Sequence, residues 1–403
     1  MKNFIPNCTA GKLAKFQTLW EIESMKLPLF LAPPLYFFFG SAGAIEKNNS
    51  SNWPSHRGDA ALNAVASSKI GNSLTLDWVF DTGDFLKSSV VVADNLAYVG
   101  ADSGKLHAID VKTGEEKWFF QSEMAIEAPP LFHDEVVYVG STDSFLYALN
   151  ARSGRLIWKY ETLGEIMGAA NQSIRPESRD SVVVVGSYDN FVHCMDAKSG
   201  KPIWKFETQN YVNGVPTIYN DQNVVFGGCD AMLYVIGLED GKLVRSVEVE
   251  APIAASVAVA DGVGYVGNMD RAVMAFDLEG GDLVWSYKQK SFPYFSSPAV
   301  TETLVFIGGR DKGMHAIDRM TGKQVWRFSA RGRVDSSPVV AGDKVVFGSM
   351  DGKLYVLTLA DGKELVSYEI GEPISSTPAV LPGKIIVGCE DGKVYAFSTE
   401  KQK

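Results

Sequence analysis

At 403 residues and 46% hydrophobic, the chain can bury a large core, as two or three domains or as one repeat array. Its formal charge of −10 argues against nucleic acid as the main partner, because phosphate binding calls for a basic face. Thirty-eight glycines and 15 tyrosines, with few helical stretches after residue 70, favour an all-β chain of short strands and tight turns.

The first feature in chain order is an apolar leader. From Met25, one lysine precedes an apolar run from Leu27 to Phe39, which closes on Ala42-Gly43-Ala44, a small-x-small cleavage pattern. Thirteen apolar residues are too few to span a bilayer comfortably, so the segment 25–44 reads as a secretory signal peptide cleaved near Ala44. Met25 suits the start of such a signal better than Met1, since the 24 residues before it over-lengthen the charged region. Residues 1–44 are therefore set apart as a presequence and 45–73 as an N-terminal extension. The expected product is exported to the periplasm or beyond, monomeric and without a transmembrane span. No cysteine stands at the cleavage point, so a lipid anchor is not expected. Cys8, Cys194, Cys229 and Cys389 form no CxxC or adjacent pair, and their spacing offers neither a zinc site nor a disulfide framework.

Next comes "LDWVFD", Leu76 to Asp81, a strand-like alternation standing alone before a repeating chain. A glycine ending a Val- or Phe-rich strand recurs at Gly100, Gly140, Gly186, Gly227, Gly267, Gly308, Gly348 and Gly388, with gaps of 40, 46, 41, 40, 41, 40 and 40. Three residues on, Asp fills every position but the first, where Ser103 stands. Fourteen on comes a second glycine, and 18 on comes Trp118, Trp158, Trp204, Trp285 or Trp326, with Arg245 and Val366 in two units.

Each unit reads as four strands, A to D, with Asp-Gly turns that suit tight hairpins. A four-stranded unit of about 40 residues, repeated many times, marks a β-propeller. The last unit stops after strand C, and Trp78 lies 40 residues before Trp118, where the missing strand D would carry its Trp. The expectation is an eight-bladed propeller of four-stranded antiparallel blades over 74–398, its ring closed by Leu76–Asp81 in the last blade. A short tail, 399–403, follows.

The spacing V-x-x-G-S-x-D-G-x-L-Y-A-x-D-x-x-T-G-x-x-x-W resembles the pyrroloquinoline quinone (PQQ)-like β-propeller repeat. "WPSHRGD", Trp53 to Asp59, is similar to that family's W-P-x-x-R-G-D opening. The resemblance covers about residues 53–398. It implies either a quinoprotein dehydrogenase or a non-enzymatic envelope-assembly scaffold of the BamB type.

Candidate sites follow from departures from the repeat. The residue opening strand A is Lys87, Glu127, Met167, Asn213, Ala254, Phe295, Asp335 or Ser375 around the ring. Of these, Lys87, Glu127, Asn213, Phe295 and Asp335 are candidates for a ligand at the channel mouth. The 46-residue gap reflects an enlarged A–B connection with Arg175, Glu177, Arg179 and Asp180, a candidate partner-binding loop on the opposite face. His107, His193 and His315 hold a strand-C position that is Tyr elsewhere and lie in separate blades, so a shared metal site is not expected. A quinoprotein would need oxygen ligands for calcium and a carboxylate base beside PQQ. The vicinal Cys-Cys pair of the resembling alcohol dehydrogenases is missing. No catalytic residue, metal or cofactor is therefore expected, with PQQ and calcium kept for the dehydrogenase alternative and a small ligand or glycan for a third. The leading expectation is a protein-binding scaffold.

Overall fold

The computed structural model describes residues 52–288 and 292–400. The signal segment and its cleavage near Ala44 lie outside the described residues. Among those described, no helix is long and apolar enough to cross a membrane.

Eight four-stranded antiparallel blades follow one another along the chain, one of them joined by a fifth, parallel strand, Val65–Ala66. Blade 1 is typical, with strands Val91–Ala93, Leu96–Gly100, Lys105–Asp110 and Glu116–Gln121 as A to D. The last blade takes Ala379–Leu381, Lys384–Gly388 and Lys393–Ser398 from the end of the chain and Thr75–Asp81 from its beginning. Trp78 registers with Ala396 and Asp81 with Lys393, so the expected closure is what forms. Asp77 fastens it, accepting from Lys384 Nζ and from Ser398 Oγ at 2.7 and 2.8 Å.

Strand A starts later than its sequence suggests. Lys87 lies in the D–A connection, four residues before Val91, and Ser336 likewise precedes the strand Val339–Ala341. In five blades the residue just before strand A is proline (Pro130, Pro216, Pro298, Pro338 and Pro378), which has no N–H to give a ladder.

The repeated residues close the seams between blades. A Cβ on Gly100 would stand 2.2 Å from Ile126 Cγ2, so the strand-B glycine makes room for the next blade's apolar anchor. The second glycine has a left-handed backbone and lies under a Trp: at Gly154, φ is 68° and an added Cβ would meet the Trp118 ring at 2.5 Å. Each of these Trp side chains donates from Nε1 to a carbonyl of the next blade, as Trp118 does to Ala151 and Trp326 to Leu359, both at 2.9 Å. Such a ring removes roughly 150–250 Å² from water, which accounts for its recurrence. Two seams lack the clip. Arg245 covers Gly281 between blades 4 and 5, its Nε buried without a partner, and Val366 takes the position in blade 7.

Inside the ring runs the segment 53–66. Strand A is each blade's inner edge, and its free backbone groups need partners. The segment supplies them in turn. Trp53 exchanges two hydrogen bonds with Val92, and Phe132 N–H donates to Pro54 O at 2.7 Å. Ile218, Val259, Val300 and Val340 then donate to Ala60, Ala61, Asn63 and Ala64 at 2.8–3.0 Å. Asn171, in blade 3, reaches Ala60 O through its side-chain amide at 2.9 Å. Val65–Ala66 finally pairs in parallel with Val340–Ala341. Arg57 is fully buried, donating to Leu62 O and Pro298 O. The chain leaves past Thr399, whose carbonyl accepts from Ser73, and enters the closing strand.

Candidate functional site

Every D–A connection repeats one burial pattern: a buried anchor, a half-buried residue, then another buried residue. Leu86-Lys87-Ser88, Ile126-Glu127-Ala128 and Val334-Asp335-Ser336 show it. The anchor fills the space over a strand-B glycine, as Leu86 does over Gly388. Small hydroxyls lock one connection to the next: Ser88 Oγ donates to Ala128 O at 3.0 Å, and Thr377 N–H donates to Ser89 Oγ at 2.9 Å across the closing seam. The middle residues are thus held on a rigid ring.

Side-chain contacts tie the five candidates into local groups. Lys87 Nζ pairs with Glu127 Oε1 at 2.7 Å across the seam of blades 1 and 2. Arg310 binds both oxygens of Asp335, at 3.0 and 3.1 Å, while its guanidinium lies 3.6 Å from the centre of the Phe295 ring. Asn213 donates to Cys229 Sγ at 3.1 Å.

Residues in the B–C turns complete these groups. Arg310, Asp102, Tyr188 and Glu390 all stand two residues after the strand-B glycine, where the repeat also varies. That variability was readable, but the turn position invites a purely structural reading. Burial pushes the Asp102 carboxyl up; Lys87 opposes this, and Glu127, Asp84 and Glu390 add to it. Burial and Asp335 raise Glu390, against a hydrogen bond from Ser375 and the charges of Lys87 and Arg333. Tyr188 stacks on Tyr211 with ring centres 4.6 Å apart and planes within 8°, and burial with nearby Glu165 and Glu127 pushes it up to about 12.

Outside this mouth the D–A rim exposes an apolar arc. Phe85, Met124 and Leu163 lie in three successive connections and are 37%, 55% and 89% exposed.

The enlarged A–B loop lies on the other face and is tied through Arg175 to Glu239 of blade 4. Arg175 binds Glu239 through its carboxylate at 2.8 Å and its carbonyl at 2.6 Å. It also reaches Asp180 at 3.3 Å, and Glu177 N–H donates to Glu239 Oε2 at 3.1 Å. Of the four predicted loop residues, Glu177 and Arg179 make no side-chain hydrogen bond or ion pair among the described residues.

Two of the three histidines take over a tyrosine's contact, while His107, with Ser103 at its turn, meets Glu116 at 2.6 Å instead. Tyr147 and Tyr234 donate to the turn residues Asp143 and Asp230 at 2.7 Å, and His193 and His315 meet Asp189 and Asp311 at 3.0 and 3.1 Å. Burial alone would raise the Asp311 carboxyl, but the His315 and Arg327 contacts outweigh it and hold Asp311 down at about 2. A depressed carboxylate stabilises the fold above its ordinary value of 3.8 and loses that contribution as pH falls toward 2. Asp311→Asn is therefore expected to cost about 2 kcal/mol at pH 7 and far less near pH 2. Urea unfolding of both proteins at the two pH values measures this, and an equal cost at both would refute it.

Among the described residues, no group of three His, Cys, Asp or Glu side chains is placed to hold a metal. Glu127 and Asp335 are each held by a cation, Lys87 and Arg310.

The family model for the outer membrane protein assembly factor BamB matches residues 68–188, 167–232, 192–312 and 310–402. The crystal structure of BamB from Moraxella catarrhalis superimposes with a TM-score of 0.68 at 18% identity, over 81% of this chain and 100% of that one. Quinohemoprotein alcohol dehydrogenase from Comamonas testosteroni gives 0.72 at 15% identity, over 88% and 81%. At such identities the likeness is one of fold. Lupanine 17-hydroxylase [cytochrome c] from a Pseudomonas species is 36% identical over 97 residues, which span 21% of this chain and 14% of that protein.

Proposed function

Since the chain belongs to the PQQ-repeat propeller family of the outer membrane protein assembly factor BamB, we propose that it is an exported, monomeric, non-enzymatic scaffold that binds another protein through its D–A rim. The observation that carries this reading is the arc of Phe85, Met124 and Leu163, presented on the rigid inter-blade ring. Connections this short build no cover over the mouth, which leaves a broad face suited to a protein surface. A role in envelope assembly is the finer form of the proposal and rests on the family alone.

A photo-crosslinking residue at Met124 or Leu163 is expected to capture an envelope protein in cells, whereas one at Val244, on an outer strand edge, is not. Replacing all three arc residues by serine should weaken recovery of that partner roughly tenfold or more. Equal capture from Val244 would sink the rim assignment. The match to lupanine 17-hydroxylase favours the dehydrogenase reading, and a second arm addresses it. Saturable binding of PQQ with calcium, accompanied by dye-linked alcohol oxidation, would replace the scaffold by an enzyme.

A further inference from the structure

The enlarged A–B loop builds a cleft that its sequence did not announce. The hairpin after the strand Asn171–Ile174 rises beside the A–B turn of blade 4. Between them lies a cleft of about 370 Å³, with Ala60 of the inner segment among its lining residues. Other blades have short A–B turns, so this wall exists once. The Arg175–Glu239 latch crosses the seam to blade 4 and holds the wall in place.

What the latch leaves over faces the cleft. Arg179 and Asp221 both line it, both are exposed, and neither side chain makes a hydrogen bond or ion pair among the described residues. They are opposite charges sharing one cleft without pairing with each other. Both hold left-handed backbones, with φ of 65° and 55°. Gln172 and Gln222 add neutral amides whose side chains are also unengaged, and Ile174, Pro176 and Ile218 make an apolar wall. No aromatic side chain lines the cleft, so it lacks the flat face on which a sugar ring stacks. Its volume sits at the low end of the ~300–1,000 Å³ of small-ligand clefts, room for a dipeptide but not for a folded loop.

We propose that this cleft binds a short peptide with both ends free: its carboxylate on Arg179, its ammonium on Asp221, and an apolar side chain against Ile174 and Ile218. Charge-assisted contacts at two separated points fix the ligand's direction, and the glutamine amides suit its peptide group. The site lies on the face opposite the rim and stands whether or not the rim binds a protein.

Titration calorimetry on the full chain tests it, with leucyl-leucine as the probe. Saturable heat is expected for the free dipeptide and none for N-acetyl-leucyl-leucinamide, which lacks both charges. Arg179→Gln and Asp221→Asn should each weaken binding roughly tenfold or more, while Lys198→Gln leaves it unchanged. Both site residues are exposed, and unchanged melting curves would show that the variants fold. No saturable heat up to the dipeptide's solubility, equal binding of the blocked form, or full affinity in either variant would overturn the proposal.

Discussion

A chain lacking residues 53–66 is expected to lose cooperative folding. The segment has no helix or hairpin of its own, yet it accepts backbone hydrogen bonds from blades 1, 2, 4, 5, 6 and 7 and a side-chain amide bond from blade 3. Without it the inner edges face a water-filled channel. Each lost bond costs about 1 kcal/mol net even when water replaces it. Trp53 and Leu62, which are 3% and 1% exposed, return to solvent as well. The total is on the order of 10 kcal/mol, which is the whole stability of an ordinary domain. Trp53→Ala is the milder form and should cost about 3–5 kcal/mol. Urea unfolding followed by circular dichroism measures both, and a deletion variant with the parent's midpoint would refute the account.

The second large effect belongs to the closing strand. Deleting residues 74–82 removes the fourth strand of blade 8, the Trp78 clip to Val111 O and the Asp77 bonds to Lys384 and Ser398. The strand Lys393–Ser398 is then left unpaired on one side and the seam to blade 1 loses its Trp, and the whole domain is expected to unfold with them. Trp78→Ala alone should cost roughly 3 kcal/mol. A chain beginning at residue 45 keeps every one of these contacts. If the deleted protein unfolds at the parent's urea concentration, closure by this strand carries no weight. Grafting Thr75–Asp81 after Ser398 should restore much of the loss, because the sheet needs the strand and not its place in the chain.

The blade count and the closing strand were legible because packing repeats. Each seam asks for the same glycine and apolar anchor, and six of the eight add a Trp, so Trp78 betrayed its blade by standing 40 residues before Trp118. Two histidines were legible for the same reason: His193 and His315 occupy a tyrosine's position and make a tyrosine's contact. The start of strand A was misplaced because the apolar pattern runs on through residues that the prolines keep out of the ladder.

The mouth was half legible. Variability picked out Lys87, Glu127, Phe295 and Asp335, but not that Lys87 neutralises Glu127 or that Arg310 clamps Asp335 and covers Phe295. Those pairings join residues of different blades or turns, and repeat spacing says nothing about which side chains meet across a seam. The loop gave a similar lesson. Four charged residues looked like a docking set, and the fold turned Arg175, with the Glu177 backbone, into a latch on Glu239.

By itself, then, the sequence determined the architecture, because a propeller's seams impose one local rule eight times over. Only the tertiary structure decided what fills the channel and what remains free to bind. The segment 53–66 is held largely through backbone carbonyls, which any sequence possesses. Which charges stay unpaired depends on distances that no single blade contains.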